Sequence, residues 1–208
     1  MNKADFRLYL ITDRHQAPGG DLFAAVEGAL AGGVRAVQLR EKDIPPRDLL
    51  ELARAMRKLT DRYGAKLIIN DRADIALAAG ADGIHLGEAG IPANAARRIL
   101  GGDRLIGVSC HSRESAMAAA EAGADFITFG PVYPTPSKAA YGAPVGLKLL
   151  AEAVSLLSIP VFALGGIKRE NTPDTLAAGA AGIALISAII AAGNPEEEAR
   201  VFLSLLAQ

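Results

Sequence analysis

One junction recurs four times along this chain: ALAGGVRAVQL, ALAAGADGIHL, AEAGADFITF and LAAGAAGIAL. Each reads as an alanine-rich helix, a glycine, a short turn and an apolar strand. A glycine just past a helix end takes the left-handed cap conformation without the steric penalty a side chain brings. A chain that enters its strands this way must alternate helix and strand. The spacing of the four copies is irregular, which argues against a solenoid array and for the repeated αβ junction of one α/β domain.

Eight Val/Ile/Leu-rich runs fit that alternation, at 7–13, 35–41, 65–71, 83–88, 104–111, 125–132, 159–166 and 181–187. Segments with helical spacing lie between them, among them DLFAAVEGALAGG, PRDLLELARAMRKLTDRYG and GLKLLAEAVSLLS. The last segment opens with Asn194, Pro195 and three glutamates, a good helix start. Strands buried on both faces read as continuous apolar runs, as these do. Eight strand–helix units therefore predict a single (β/α)8 TIM barrel over residues 1–208. A doubly wound open sheet is the structural rival. The longest irregular segment, YPTPSKAAYGAP at 133–144, follows the sixth run, and loops this long usually serve function.

Composition narrows the function classes. Half of the 208 residues are hydrophobic and the formal net charge is −1, so nothing predicts bulk attraction to nucleic acid or a membrane surface. No uninterrupted apolar run approaches the ~18 residues of a membrane span, and the first ten residues lack the apolar core of a signal peptide. Cys110 is the only cysteine, so no internal disulfide forms and a cytoplasmic location is expected. The expected partners are small molecules, with a homo-oligomer left open.

In either fold, ligands bind beyond the carboxyl ends of the strands. After the second run, alternation puts Gln38, Arg40 and Lys42 on one side of the chain. Two cations projecting together suit an anion, since arginine grips a phosphate with paired hydrogen bonds and lysine adds a mobile charge. A solvated strand end with Glu41 or Asp43 as partners is the alternative. Asn70 and Asp71 follow the third run; Ser109, Cys110, His111 and Ser112 follow the fifth. Ser112 and Ser115 read equally as a helix N-cap region, and Cys110 as a small core residue. Thr135, Ser137 and Lys138 sit on a proline-stiffened loop suited to phosphate. Gly165 and Gly166 end the seventh run; Ile186 and Ser187 end the eighth, where barrels often bind phosphate through backbone N–H groups.

With these residues assembled, the chain resembles the thiamine-phosphate synthase family and its barrel-fold sister, the thiazole tautomerases. The matching pieces are LYLITD, VQLREK, IINDRADIALAAGADGIHLGE, IGVSCH, GADFITFGPVYPTPSK, VFALGGI and AGIALISAI, in family order from residue 8 to residue 189. The resemblance implies coupling of a hydroxymethyl-pyrimidine diphosphate to a thiazole phosphate. Diphosphate leaves with magnesium (Mg2+) assistance and the thiazole nitrogen attacks the resulting pyrimidine carbocation. Carried over position by position, Gln38, Arg40 and Lys42 hold the diphosphate. Asn70 contacts the pyrimidine diphosphate and Asp71 binds magnesium. Ser109 and Lys138 add diphosphate contacts, and Thr135 and Ser137 bind the thiazole. Gly166, Ile186 and Ser187 form the thiazole-phosphate site.

One position departs from the family pattern. The synthases read HLGQxD after the fourth strand, the aspartate being a second magnesium ligand. Here the run is HLGEAG, with Gly90 at the aspartate position and Glu88 two residues before it. That departure keeps a tautomerase reading in play, with His111 as acid/base, because that reaction needs no metal pair. A non-catalytic barrel binding thiazole phosphate as a regulator is a third reading. The intact QLREK, ND and TPSK pieces favour the synthase.

Overall fold

A computed structural model describes residues 4–135 and 143–207. Eight strands close into one parallel barrel in chain order: β1 (Leu8–Ile11), β2 (Ala36–Leu39), β3 (Lys66–Asn70), β4 (Gly83–Leu86), β5 (Leu105–Cys110), β6 (Phe126–Phe129), β7 (Val161–Leu164) and β8 (Gly182–Leu185). Leu8 of β1 pairs with Ile183 of β8, which shuts the sheet and excludes the open doubly wound alternative. The helices are α1 (Leu22–Ala31), α2 (Pro46–Arg62), α3 (Ala73–Ala78), α4 (Ala93–Leu100), α5 (Arg113–Glu121), α6 (Gly146–Leu156), α7 (Thr172–Ala177), α8 (Ser187–Ile190) and α9 (Pro195–Leu206).

The four recurrent junctions behave as their sequence predicts. Gly33, Gly80, Gly123 and Gly179 all have positive φ just past α1, α3, α5 and α7. Ser112 caps α5, its hydroxyl accepting from the Ser115 N–H while the Ser115 hydroxyl accepts from the Ser112 N–H. Asn194 caps α9 through the Glu197 N–H, with Pro195 in the first turn.

Two cores result. The larger lies between the barrel wall and the helices and contains Leu10, Val37, Leu67, Ile84 and Ile106. The smaller fills the barrel, where Phe6, Tyr9, Phe126 and Phe162 pack with ring centroids 5.0–6.2 Å apart. These rings close the lower interior, so space for a ligand is left at the carboxyl-end mouth. α9 straps the seam from outside. A Cβ at Gly32 would collide with the Glu196 carbonyl and the Ala199 methyl, so glycine there sets how closely α9 lies on α1.

Candidate active site

A cavity of about 720 Å³ opens at the mouth. Seven strands supply a wall residue at or near their carboxyl ends, Ile11, Gln38, Asn70, His85, Ser109, Leu164 and Ile186, and the loop after β6 supplies Thr135. Its volume lies within the usual ~300–1,000 Å³ of small-molecule sites. Of the residues singled out in the sequence, Arg40, Lys42, Asp71, Glu88, Gly90, His111 and Ser187 also face it. Gly166 does not line it. Its φ is +66° and a Cβ there would strike the Tyr133 and Pro134 backbone, so its first role is to let the β6 loop pack on the β7 end. Ser137 and Lys138 lie outside the described residues.

Arg40 is half-buried and Lys42 exposed. Among the described residues neither side chain has a hydrogen-bond or ion-pair partner. The expected alternative partners are engaged elsewhere. Glu41 is buried and accepts from the Thr12 hydroxyl at 2.7 Å and from the Arg14 N–H at 3.2 Å. The Arg14 guanidinium bridges Glu41 and Asp43, and His15 Nε2 lies 2.8 Å from Asp43 Oδ2. The Arg14 and His15 hydrogen bonds hold the Asp43 carboxyl well below its ordinary value.

Beneath the cavity runs a buried chain that the sequence reading missed. Gln38 Nε2 donates to the Tyr9 hydroxyl at 3.0 Å, and that hydroxyl lies 3.4 Å from His85 Nδ1. His85 Nε2 is 3.0 Å from Ser109 Oγ and 3.3 Å from Thr128 Oγ1. Burial pushes the His85 imidazole down to about 3 and the Tyr9 phenol well above its ordinary value, so both are neutral at physiological pH. With Tyr9 accepting from Gln38, the order that leaves no buried proton idle has the Tyr9 O–H donating to Nδ1 and Nε2–H donating to Ser109. Thr128 donates to Ser109 as well, at 3.4 Å. In that order Ser109 accepts from below and keeps its own proton for a guest in the cavity. Two sequence signals pointed here: the lone histidine inside an apolar strand, and its register partner Gly107. A Cβ at Gly107 would overlap the His85 and Phe126 rings.

Asp71 has φ +58°, the only non-glycine residue with positive φ among the described ones. Such strain at a pocket is typical of a side chain held for function. Its Oδ1 accepts from the Gly87 N–H at 2.7 Å and its Oδ2 from Asn70 Nδ2 at 2.8 Å. A Cβ built on Gly90 would lie 3.3 Å from Asp71 Oδ1. Position 90 thus faces the Asp71 carboxylate, as a second ligand position should. Glu88 lines the same cavity, with its carboxylate 4.0 Å from His111 Nε2. No cluster of three or more His, Cys, Asp or Glu able to hold a metal occurs among the described residues. Asp71 shares the cavity wall with Asp13 and Glu88, and each of its oxygens has lone-pair capacity to spare. That fits magnesium bound jointly by one carboxylate, substrate phosphates and water.

His111 Nδ1 contacts the Gly130 carbonyl, which can only accept, so the proton sits on Nδ1 and Nε2 faces Glu88. Cys110 is buried, and desolvation raises its thiol to about 12, which makes it a core residue.

A family model described as Thiamine monophosphate synthase matches residues 8–189. The chain belongs to the thiamine monophosphate synthase family. A putative thiamine-phosphate synthase of Geobacter sulfurreducens is 72% identical over 206 residues, covering 99% of this chain and 97% of that protein. The thiamine-phosphate synthase of Roseiflexus sp. is 44% identical over 200 residues, covering 96% of this chain and 85% of that one. The thiamine phosphate pyrophosphorylase structure from Pyrococcus furiosus superposes with a TM-score of 0.89 at 36% identity, covering 99% of this chain and 96% of that one. These relatives carry the synthase name, and nothing among them favours the tautomerase or regulator readings. Among the described residues of this family member, no helix is long and apolar enough to cross a membrane.

Proposed function

We propose that the mouth cavity couples a hydroxymethyl-pyrimidine diphosphate to a thiazole phosphate, releasing diphosphate. The observation that carries this reading is Arg40 and Lys42, unpartnered among the described residues, on the wall of a cavity that Asn70, Asp71 and Ser109 also line. The chemical problem in this coupling is the charge of the leaving group. Preorganised donors aimed where that charge develops lower the barrier most. Arg40 offers two parallel N–H groups and Lys42 a point charge, while Ser109 O–H is already directed into the cavity by the chain below it. Gln38, fixed through Tyr9, keeps its carbonyl oxygen and second N–H for the substrate. Asn70 holds Asp71 in position as well as facing the pyrimidine diphosphate. When magnesium is bound, it neutralises phosphate charge, and Asp71 is the residue that would hold it. Lys138 extends the diphosphate contacts. Thr135 and Ser137 serve the thiazole, and Ile186 and Ser187 its phosphate. The enzyme is then a transferase acting on small phosphorylated substrates.

The test is direct. Purified protein with both substrates and magnesium is expected to form thiamine phosphate and diphosphate in equal amounts. Absence of product at high enzyme concentration would sink the reading. Lys138→Ala is expected to lower kcat/KM by roughly a hundredfold or more, the scale of losing one charge-stabilising group.

A further inference from the structure

The run Arg40–Glu41–Lys42–Asp43 alternates base and acid, so each cation of the proposed diphosphate cradle has a carboxylate beside it in sequence. Left to themselves, those carboxylates are anions within a residue of Arg40 and Lys42 in the chain. A guest diphosphate would have to displace them. In the fold they are turned away. The short helical turn after β1 delivers Arg14 between them. Its guanidinium takes both oxygens of Asp43, with NH2 at 2.7 Å from Oδ2, and reaches Glu41 Oε2 at 3.2 Å through NH1. The Arg14 N–H adds contacts at 3.2 Å to each Glu41 oxygen, and Thr12 closes the arrangement. Thr12 Oγ1 also accepts from the Arg40 N–H at 2.9 Å, tying the same knot to the backbone of the cradle.

We infer that Arg14 is a positioning residue for the diphosphate cradle: by holding Glu41 and Asp43 it keeps Arg40 and Lys42 free for the substrate anion. Arg14 does not line the cavity, so it acts without touching substrate. Arginine suits the task because its planar fork satisfies two carboxylates at once, which a lysine ammonium cannot do with the same geometry. The inference deepens the synthase reading and rests on it for the identity of the anion.

The test is a titration of inorganic diphosphate, with and without magnesium, into the parent, Arg14→Gln, Asp43→Asn and the double variant. All are read well below the melting temperature of the weakest. Arg14→Gln leaves the Asp43 carboxylate held by His15 alone, and diphosphate affinity is expected to fall roughly tenfold. KM for the pyrimidine diphosphate should rise by a similar factor, while KM for the thiazole phosphate changes less than about twofold. Asp43→Asn alone should leave diphosphate affinity near the parent value. In the double variant, loss of the competing acid should restore most of the affinity. A merely structural Arg14 would show no such rescue. Unchanged affinity in Arg14→Gln, or a double variant as weak as the single, overturns the inference. Should Arg14→Gln fail to fold, Arg14→Lys takes its place, with a smaller loss and the same rescue expected. The diphosphate titration needs no turnover. A parent that binds diphosphate in an Arg14-dependent way but makes no thiamine phosphate would therefore refute the synthase reading and leave this inference standing.

Discussion

At the residue scale, His85 makes the fold sensitive to acid. In the barrel its imidazole is pushed by burial from 6.5 down to about 3, whereas in the unfolded chain it protonates below about 6.5. Between those values the unfolded state binds more protons, so stability is full above about 6.5 and falls as pH drops toward 3. The slope from this one group is at most about 1.4 kcal/mol per pH unit. His85→Gln removes the titration while keeping a polar group beneath Ser109. The variant's melting temperature is expected to fall less steeply than the parent's between pH 6.5 and 4, and parallel curves would contradict the account. The residues facing the cavity were largely legible from strand-end position and alternation: Gln38, Arg40, Asn70, Asp71 and Ser109 all arrive there. The supports were not. Tyr9 and His85 lie 76 residues apart, and Arg14 and Glu41 27 apart, so the strand-by-strand reading had no local pattern to join them. Only the lone histidine in an apolar strand and the glycine opposite it left a trace.

At the element scale, the glycine junctions and apolar runs carried enough information to give all eight strands, because each signal is local. The runs overshot the strands: β1 spans Leu8–Ile11, whereas the apolar run extended from 7 to 13. The overshoot is informative, since the residues past each strand end form the mouth. The β4–α4 turn shows how such a segment aims a position. The Gly87 N–H binds Asp71, and the Gly90 N–H returns to the Gly87 carbonyl at 2.9 Å. That turn directs position 90 at the Asp71 carboxylate. In Gly90→Asp the two carboxylates would face each other, which is unfavourable until a cation lies between them. The variant is expected to melt below the parent in a chelator and to gain more from added magnesium, through ordinary linkage of binding to folding. Titrating magnesium during thermal unfolding measures both. An equal gain in parent and variant would mean that position 90 does not face a metal site.

At the scale of the whole molecule, scaffold and site divide along the chain. The cavity draws on the carboxyl ends of seven strands and on the loop after β6, and none of its lining residues comes from α9. Yet α9 closes the structure: it packs on α1, α7, α8 and β1, covering the side of the barrel where β8 meets β1. Closure itself was legible in the count of eight strand–helix units. The strap's contact with α1 was not, because Gly32 reads as one more junction glycine until Glu196 and Ala199 are seen against it. Phe202 of α9 is 1% exposed in the larger core. Truncating it leaves a hole that a helix strapped across a closed barrel fills poorly, and Phe→Ala changes of this kind cost about 3–5 kcal/mol. Phe202→Ala is therefore expected to lower the urea midpoint by that amount of stability at an unchanged m-value, since the same surface is exposed on unfolding. Coupling kcat at saturating substrate, measured where the variant is still fully folded, should stay within about twofold of the parent, because no interaction made only in the transition state is lost. A large fall in kcat with the fold intact would show that the strap reaches the mouth, and that the strand ends and the loop after β6 do not hold the cavity by themselves.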